Sequence, residues 1–243
     1  MRSLLFVPGD DADRLARALA SGADALILDL EDGVAPARKH QGRTSLRDFI
    51  FSARQQKQRP RLFVRINGLE TDLCGDDLEA IMPAGPDGIV LPKCRSGADV
   101  QQLGARLAVR EAECGLPDGA CAILPMVTET AGSLFGLASY VGSSRRLLGL
   151  AWGVQALAAA LGAQASHLPD GPLTAPFQLA RTLTLFSARA AGVTPVDTHF
   201  AAIGDAAGLR AECEAARRDG FAAKMAIDPM QVAIINAVFD ERP

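Results

Sequence analysis

The chain is poor in the residues that build metal and disulfide sites, with three histidines and five cysteines among 243 residues. Cys74, Cys94, Cys114, Cys121 and Cys213 are odd in number and never spaced C-x-x-C, and His40, His167 and His199 stand far from them in sequence. Zinc sites and disulfide staples are therefore not expected, and each cysteine reads as a small buried apolar residue in a reducing compartment. An excess of either charge is lacking too. The 25 Lys and Arg and 28 Asp and Glu leave a formal net charge of -3, with no basic stripe and no acidic tail, which argues against nucleic acid as a partner. Nowhere do about eighteen apolar residues follow uninterrupted, so no membrane partner is expected. The start, Met1-Arg2 and a short apolar segment ended by Pro8-Gly9, has no small-residue cleavage site, and the expectation is a soluble cytoplasmic protein. No G-x-G-x-x-G follows the first apolar run, which weakens, without removing, the alternative of an open Rossmann-like sheet.

What the sequence does have is alternation. Short apolar runs at 4–7, 25–30, 62–66, 88–92, 122–127, 147–152, 194–198 and 223–227 are separated by stretches of helical spacing at 11–20, 37–58, 76–81, 98–114, 130–140, 155–161, 177–191, 205–219 and 229–238. This is the pattern of βα units feeding a parallel sheet. Eight such units in a chain close to the roughly 250 residues typical of the architecture predict a (β/α)₈ TIM barrel spanning residues 1–243 as a single domain. The segment 162–176, with three prolines and two glycines, is read as a loop near the mouth and a candidate cover.

The runs finish in polar groups. Leu28-Asp29-Leu30-Glu31-Asp32 crowds three carboxylates at one strand end, the third run ends in Arg65 and Asn67, the fourth in Lys93, and the fifth in Thr128 and Glu129. In a closed barrel these converge with Gln155, His199 and Asp228 on the face formed by the strand C-termini. Arg65 has two readings of equal weight. Its guanidinium grips a small carboxylate through paired hydrogen bonds, or it neutralises the acidic cluster. Glu129 is either a hard ligand for Mg²⁺ or an acid favoured by a helix N-terminus. Lys93 invites a Schiff base, although a salt bridge to Asp29 or Glu129 is the stronger expectation. His199 lacks a carboxylate at a fixed spacing and is not assigned as a base.

Several segments resemble the citrate lyase β subunit family, which includes citryl and citramalyl thioester lyases and malyl-CoA lyases. They are R-S-L-L-F-V-P-G-D at 2–10, A-D-A-L-I-L-D-L-E-D-G-V at 23–34, F-V-R-I-N at 63–67, G-I-V-L-P-K at 88–93, L-P-M-V-T-E-T at 124–130, A-R-A-A-G at 188–192 and K-M-A-I-D-P-M-Q-V at 224–232. The resemblance covers nearly the whole chain. It implies a (β/α)₈ barrel that assembles as a homo-oligomer, trimeric or larger, and cleaves a carbon–carbon bond with Mg²⁺, turning a small β-hydroxy acid thioester of CoA or an acyl carrier into an acyl thioester and a 2-oxoacid. It further implies that Arg65 grips the oxoacid carboxylate, that Glu129 is the first magnesium ligand, and that Phe6, Arg14 and Arg17 contact the thioester carrier.

The chain departs from that pattern where relatives read something like G-A-E-D-L-A-A-D-L-G after the sixth strand. Here Gln155, Ala156 and Ala160 stand in place of acids, and the second metal carboxylate falls on Ala156. Alanine is the best helix former, so the fold is expected to survive the loss of charge. Asp29, Glu31 or Asp32 are the candidate substitutes for the missing ligand. Asp228 stands where relatives commonly have histidine and is counted with the substrate-binding candidates. The chain also stops at Pro243, without the C-terminal extension that brings a further acid to a neighbouring site in the malyl and citramalyl enzymes. Three expectations follow: a lyase of this type; a catalytically degenerate paralogue that binds a CoA-like ligand or assembles with partner subunits; or a metal-free thioesterase or Lys93 Schiff-base aldolase.

Overall fold

The structure is a computed structural model that describes residues 1–169 and 171–240. Eight strands, β1 (Ser3–Pro8), β2 (Ala25–Asp29), β3 (Arg61–Arg65), β4 (Gly88–Leu91), β5 (Ala122–Pro125), β6 (Gly149–Ala151), β7 (Thr194–Asp197) and β8 (Ala223–Ala226), form one parallel sheet in the order β5-β4-β3-β2-β1-β8-β7-β6. Parallel bridges pairing Ile123 with Leu147 and Met126 with Ala151 join the two ends and complete the barrel. The predicted fold class is therefore the observed one, with strand ends displaced by at most two residues from the sequence reading.

Period-two alternation divides the strand residues between two cores. Leu4, Ala25, Ile27, Phe63, Val90, Leu124, Val196 and Met225 fill the interior. Their neighbours Leu5, Leu26, Leu28, Leu62, Val64, Ile89 and Ile123 pack outward beneath the helices. The helices are α1 (Ala12–Leu19), α2 (Lys39–Ala53), α3 (Leu73–Ile81), α4 (Gly97–Glu113), α5 (Val154–Leu161), α6 (Ala175–Ala190), α7 (Ala206–Asp219) and α8 (Pro229–Asp240). Asp11 caps α1 by accepting from the Arg14 N–H at 3.0 Å, the role its short carboxylate suits.

Two expectations are corrected. The helix read at 130–140 is a 3₁₀ stretch, Ala131–Tyr140. Thr130 Oγ1 accepts from the Ser133 N–H at 3.2 Å and Ser133 Oγ donates to Thr130 O at 2.6 Å, and these three-residue links select the tighter winding. Gly136 sits so close to the Arg95 carbonyl that a Cβ there would lie 2.1 Å from its oxygen. The second concerns the stretch 162–176, read as a loop and candidate cover: its last two residues, Ala175 and Pro176, open α6, and no described residue of it lines the site cavity. Its described residues fold on themselves through the His167–Leu173 bridge and border a separate cavity.

Candidate active site

The register fixes the mouth. Pro8 is paired with Asp29 and Asp29 with Arg65 across β1, β2 and β3, so all three leave the sheet at one rim. They border a cavity of about 460 Å³ that Phe6, Arg14, Asp32, Glu129, Gln155, Ala156 and His199 also line. Arg65 and Glu129, far apart in sequence, thus share one pocket.

Arg65 is committed to the acids of β2. Its Nε and Nη2 donate to the two oxygens of Asp29 at 2.7 and 2.6 Å, and Nη1 lies 3.1 Å from Glu31 Oε2. Burial opposes the guanidinium charge, but the hydrogen bonds and charge of Asp29 outweigh it and hold Arg65 protonated above its ordinary range. The Phe6 ring lies 4.9 Å from the guanidinium carbon, a cation–π distance. Asp29 also accepts the N–H groups of Glu31 and Gly33, each at 2.8 Å. Any side chain at position 33 would collide with that carboxylate, since a Cβ would stand 2.3 Å from Oδ2. Of the two sequence readings of Arg65, charge neutralisation is present in full, and the guanidinium still borders the cavity.

Lys93 departs from its expectation. Its ammonium pairs with Glu31 Oε1 at 2.9 Å, rather than with Asp29 or Glu129, and that contact raises its pKa against the effect of burial. Its backbone lies in the left-handed region, φ 51°, which non-glycine residues rarely adopt. This turn aims the Lys93 N–H at Glu129 Oε2, 2.7 Å away. Glu31 itself is held above its ordinary range by burial, with Arg65 and Lys93 opposing.

Glu129 is 5% exposed. Burial pushes its carboxyl up to about 7, against the Lys93 N–H, which favours the ionised form. The side chain runs over Gly153, where a Cβ would come within 2.6 Å of Oε1. His199 is within hydrogen-bonding distance of Gln155, Nε2 to Nε2 at 2.9 Å. Burial and the charges of Lys224 and Arg65 lower its pKa to about 4, so the imidazole is neutral at physiological pH.

Four of the candidate substrate-binding residues, Arg65, Glu129, Phe6 and Arg14, border the cavity, Arg14 while paired with Asp11 at 3.3 Å. Arg17 is exposed on α1 outside the lining. Asp228 is occupied at the start of α8, accepting the Met230 N–H at 2.8 Å, because a carboxylate two residues before an unpaired helical N–H is drawn to cap it. Asn67 lies behind the acids, where it donates to Asp77 and Leu30 and accepts from Lys39.

Lys39 was not singled out from the sequence. Its buried ammonium donates to Leu30 O, Glu31 O and Asn67 Oδ1 at 2.5, 2.7 and 2.9 Å and so pins the acidic turn from behind. The available signal was a lysine at the first position of a helix, where the dipole disfavours a cation.

The side chains at the mouth do not form a magnesium cage. Asp29 has both oxygens on the guanidinium, Glu31 faces two cations, Asp32 is exposed and position 156 carries a methyl group. Among the described residues no three His, Cys, Asp or Glu side chains form a group able to hold a metal ion. Glu129 and the exposed Asp32 both border the cavity, but the pair of ligands that the resemblance implies, Glu129 with an acid at position 156, is not present, and the residues do not fit that two-carboxylate magnesium site.

A family model described as HpcH/HpaI aldolase/citrate lyase matches residues 2–229. The chain belongs to the HpcH/HpaI aldolase/citrate lyase family. A (3S)-malyl-CoA thioesterase of Cereibacter sphaeroides is 37% identical over 244 residues, covering 100% of this chain and 78% of that protein. The citrate lyase subunit beta of Leuconostoc mesenteroides subsp. cremoris is 31% identical and covers 98% and 76% respectively. Among solved structures, protein CitE from Mycobacterium tuberculosis in complex with magnesium, acetoacetate and coenzyme A superposes with a TM-score of 0.82 at 31% identity, covering 99% of this chain and 81% of that one. The relatives thus include proteins named as a thioesterase and as a citrate lyase subunit, and a magnesium-bound structure occurs among the solved neighbours. No helix among the described residues is long and apolar enough to cross a membrane.

Proposed function

We propose that the protein is a carbon–carbon lyase of the citrate lyase β type, cleaving a small β-hydroxy acid thioester of the citryl, citramalyl or malyl kind to an acyl thioester and a 2-oxoacid. The observation that carries this reading is the shared pocket of Arg65 and Glu129, with Phe6 and Arg14 at its β1 edge. Arg65 borders the cavity where the acid moiety would sit, and an incoming carboxylate would share its guanidinium with Asp29 and Glu31. Glu129, with its pKa of about 7, is poised near working pH to take the proton of the β-hydroxyl. The carbon–carbon electron pair then moves into the thioester as an enolate, the hydroxyl carbon becomes the carbonyl of the oxoacid, and the proton returns from Glu129 to the enolate carbon. No water is consumed. The CoA-like carrier enters along Phe6 and Arg14, and the working form is a homo-oligomer.

Magnesium has no step in this scheme, because Asp29 and Glu31 are paired with Arg65 and Lys93 and position 156 brings no carboxylate. The same loss supports a second reading, a degenerate paralogue that binds a CoA-like thioester or assembles with partner subunits without turning substrate over. The nearness of a thioesterase at 37% identity supports a third, hydrolytic outcome. One assay separates them. Malyl-, citramalyl- and citryl-CoA are incubated with the protein, with and without Mg²⁺, and the products are identified by mass spectrometry. A 2-oxoacid with an acyl-CoA supports the lyase, a free hydroxy acid with CoA thiol supports hydrolysis, and binding without product overturns both in favour of the paralogue.

A further inference from the structure

Cleavage of a malyl, citramalyl or citryl unit releases glyoxylate, pyruvate or oxaloacetate. These acids share the keto carboxylate and differ in the other substituent of the keto carbon, which is hydrogen, methyl or a charged carboxymethyl group. The wall that this substituent meets therefore decides among them.

The positive charge at the mouth is already shared out. Among the described residues that line the cavity, the cations are Arg14 and Arg65. Arg65 gives two donors to Asp29 and lies 3.1 Å from Glu31. One incoming carboxylate can share that guanidinium, and a second would find no cation left. Arg14 is paired with Asp11 at 3.3 Å, on the edge along which the carrier enters. Lys93 is held by Glu31 at 2.9 Å and is not part of the lining. His199 is uncharged, with its Nε2 beside Gln155. Negative charge is more plentiful. Asp32, exposed at the rim, and Glu129 border the same cavity, so a second carboxylate would meet like charge.

Much of the remaining wall is apolar. Met126 and Met225, 2% and 1% exposed, belong to the interior core of the barrel and form the floor of the cavity. Ile227 and the methyl group of Ala156 add to this surface. A hydrogen or methyl substituent sheds water here at no cost, whereas a carboxylate would lose its hydration with nothing to replace it.

We infer that the site accepts oxoacid units with a single carboxylate and an uncharged substituent, so that malyl and citramalyl thioesters are substrates and citryl thioesters are not, and that Ala156 and Asp32 set this choice. The inference rests on the proposed lyase reading and narrows its substrate class.

The test is calorimetric titration of the chelator-treated full chain at neutral pH with pyruvate and with freshly dissolved oxaloacetate. Like charges brought together in a site cost at least about a factor of ten in affinity, so oxaloacetate is expected to bind at least about tenfold more weakly than pyruvate. Ala156→Arg puts a cation on the wall, and arginine is a strong helix former, so α5 is expected to stand. Asp32→Asn removes the facing charge at an exposed position. The arginine variant is expected to raise the affinity of oxaloacetate relative to pyruvate by about tenfold, the usual effect of one opposite charge nearby, and the asparagine variant to raise it less. A rise with either folded variant supports the assignment of this wall. Oxaloacetate binding as tightly as pyruvate to the parent chain, or a ratio that neither variant moves, overturns this inference alone. Failure of both acids to bind overturns it together with the lyase reading.

Discussion

Glu129 makes the sharpest prediction because burial moves its titration into an accessible range. A glutamate ordinarily titrates near 4.5, and in the folded protein this one titrates near 7. At about 1.4 kcal/mol per pKa unit the gap amounts to about 3 kcal/mol. The sign follows from which state holds the proton. Below 4.5 both folded and unfolded chains carry it. Between 4.5 and about 7 the unfolded chain releases it while the native one retains it, so stability falls as pH rises. Above about 7 both are ionised and the penalty is constant. Glu31 is shifted in the same direction, so the wild-type curve alone does not isolate Glu129. The comparison with Glu129→Gln does, since the amide oxygen still accepts from the Lys93 N–H and carries no charge. Urea unfolding of the chelator-treated protein, followed by the emission of its one tryptophan, is expected to show the variant gaining about 2–3 kcal/mol on the wild type between pH 5 and pH 8. The same ionisation predicts that any lyase activity rises with pH and levels off above about 7, and that Glu129→Gln abolishes it. Stability curves that stay parallel within about 0.5 kcal/mol, less than a single pKa unit, would refute the argument that burial dominates this carboxylate.

Asp29→Asn sets a second amide donor against the guanidinium of Arg65 and the Gly33 N–H, and by the usual cost of breaking a buried pair is expected to lose about 3–5 kcal/mol in chemical denaturation. Replacing Asp29 and Arg65 together by apolar residues should recover part of that loss. Gly153→Ala drives a methyl into Glu129 Oε1, and is expected to cost about 1–3 kcal/mol and displace the carboxylate, read as lost oxoacid affinity in calorimetry. Ala156→Asp is expected to give measurable Mg²⁺ heats where the parent chain gives weak or no heat. Borohydride reduction in the presence of pyruvate should leave the mass at Lys93 unchanged, because an ammonium held by Glu31 is not a free amine; an adduct there would revive the aldolase reading.

The barrel was legible because short apolar runs such as 62–66 and 122–127 alternate with helical stretches eight times in a chain of barrel length. The convergence of Arg65 and Glu129 was legible for the same reason, since strand C-termini share a face. Less legible were the pairings within that face. Lys93 turned to Glu31 rather than to Glu129, because its left-handed backbone commits the main-chain N–H to Glu129 and sends the side chain elsewhere. Lys39 gave little local signal, since a buried lysine is defined by what surrounds it.

The order of residues alone thus determined which elements form, their direction and the rim at which polar groups gather, because these depend on spacing and on apolar periodicity along the chain. It also showed alanine at position 156, where the resemblance places an acid. Only the folded chain decided which carboxylates are spent on cations, which one is left at a pKa near 7, and that the cations lining the mouth are already paired. Those outcomes depend on distances and desolvation between segments up to 100 or more residues apart, and no local pattern encodes them.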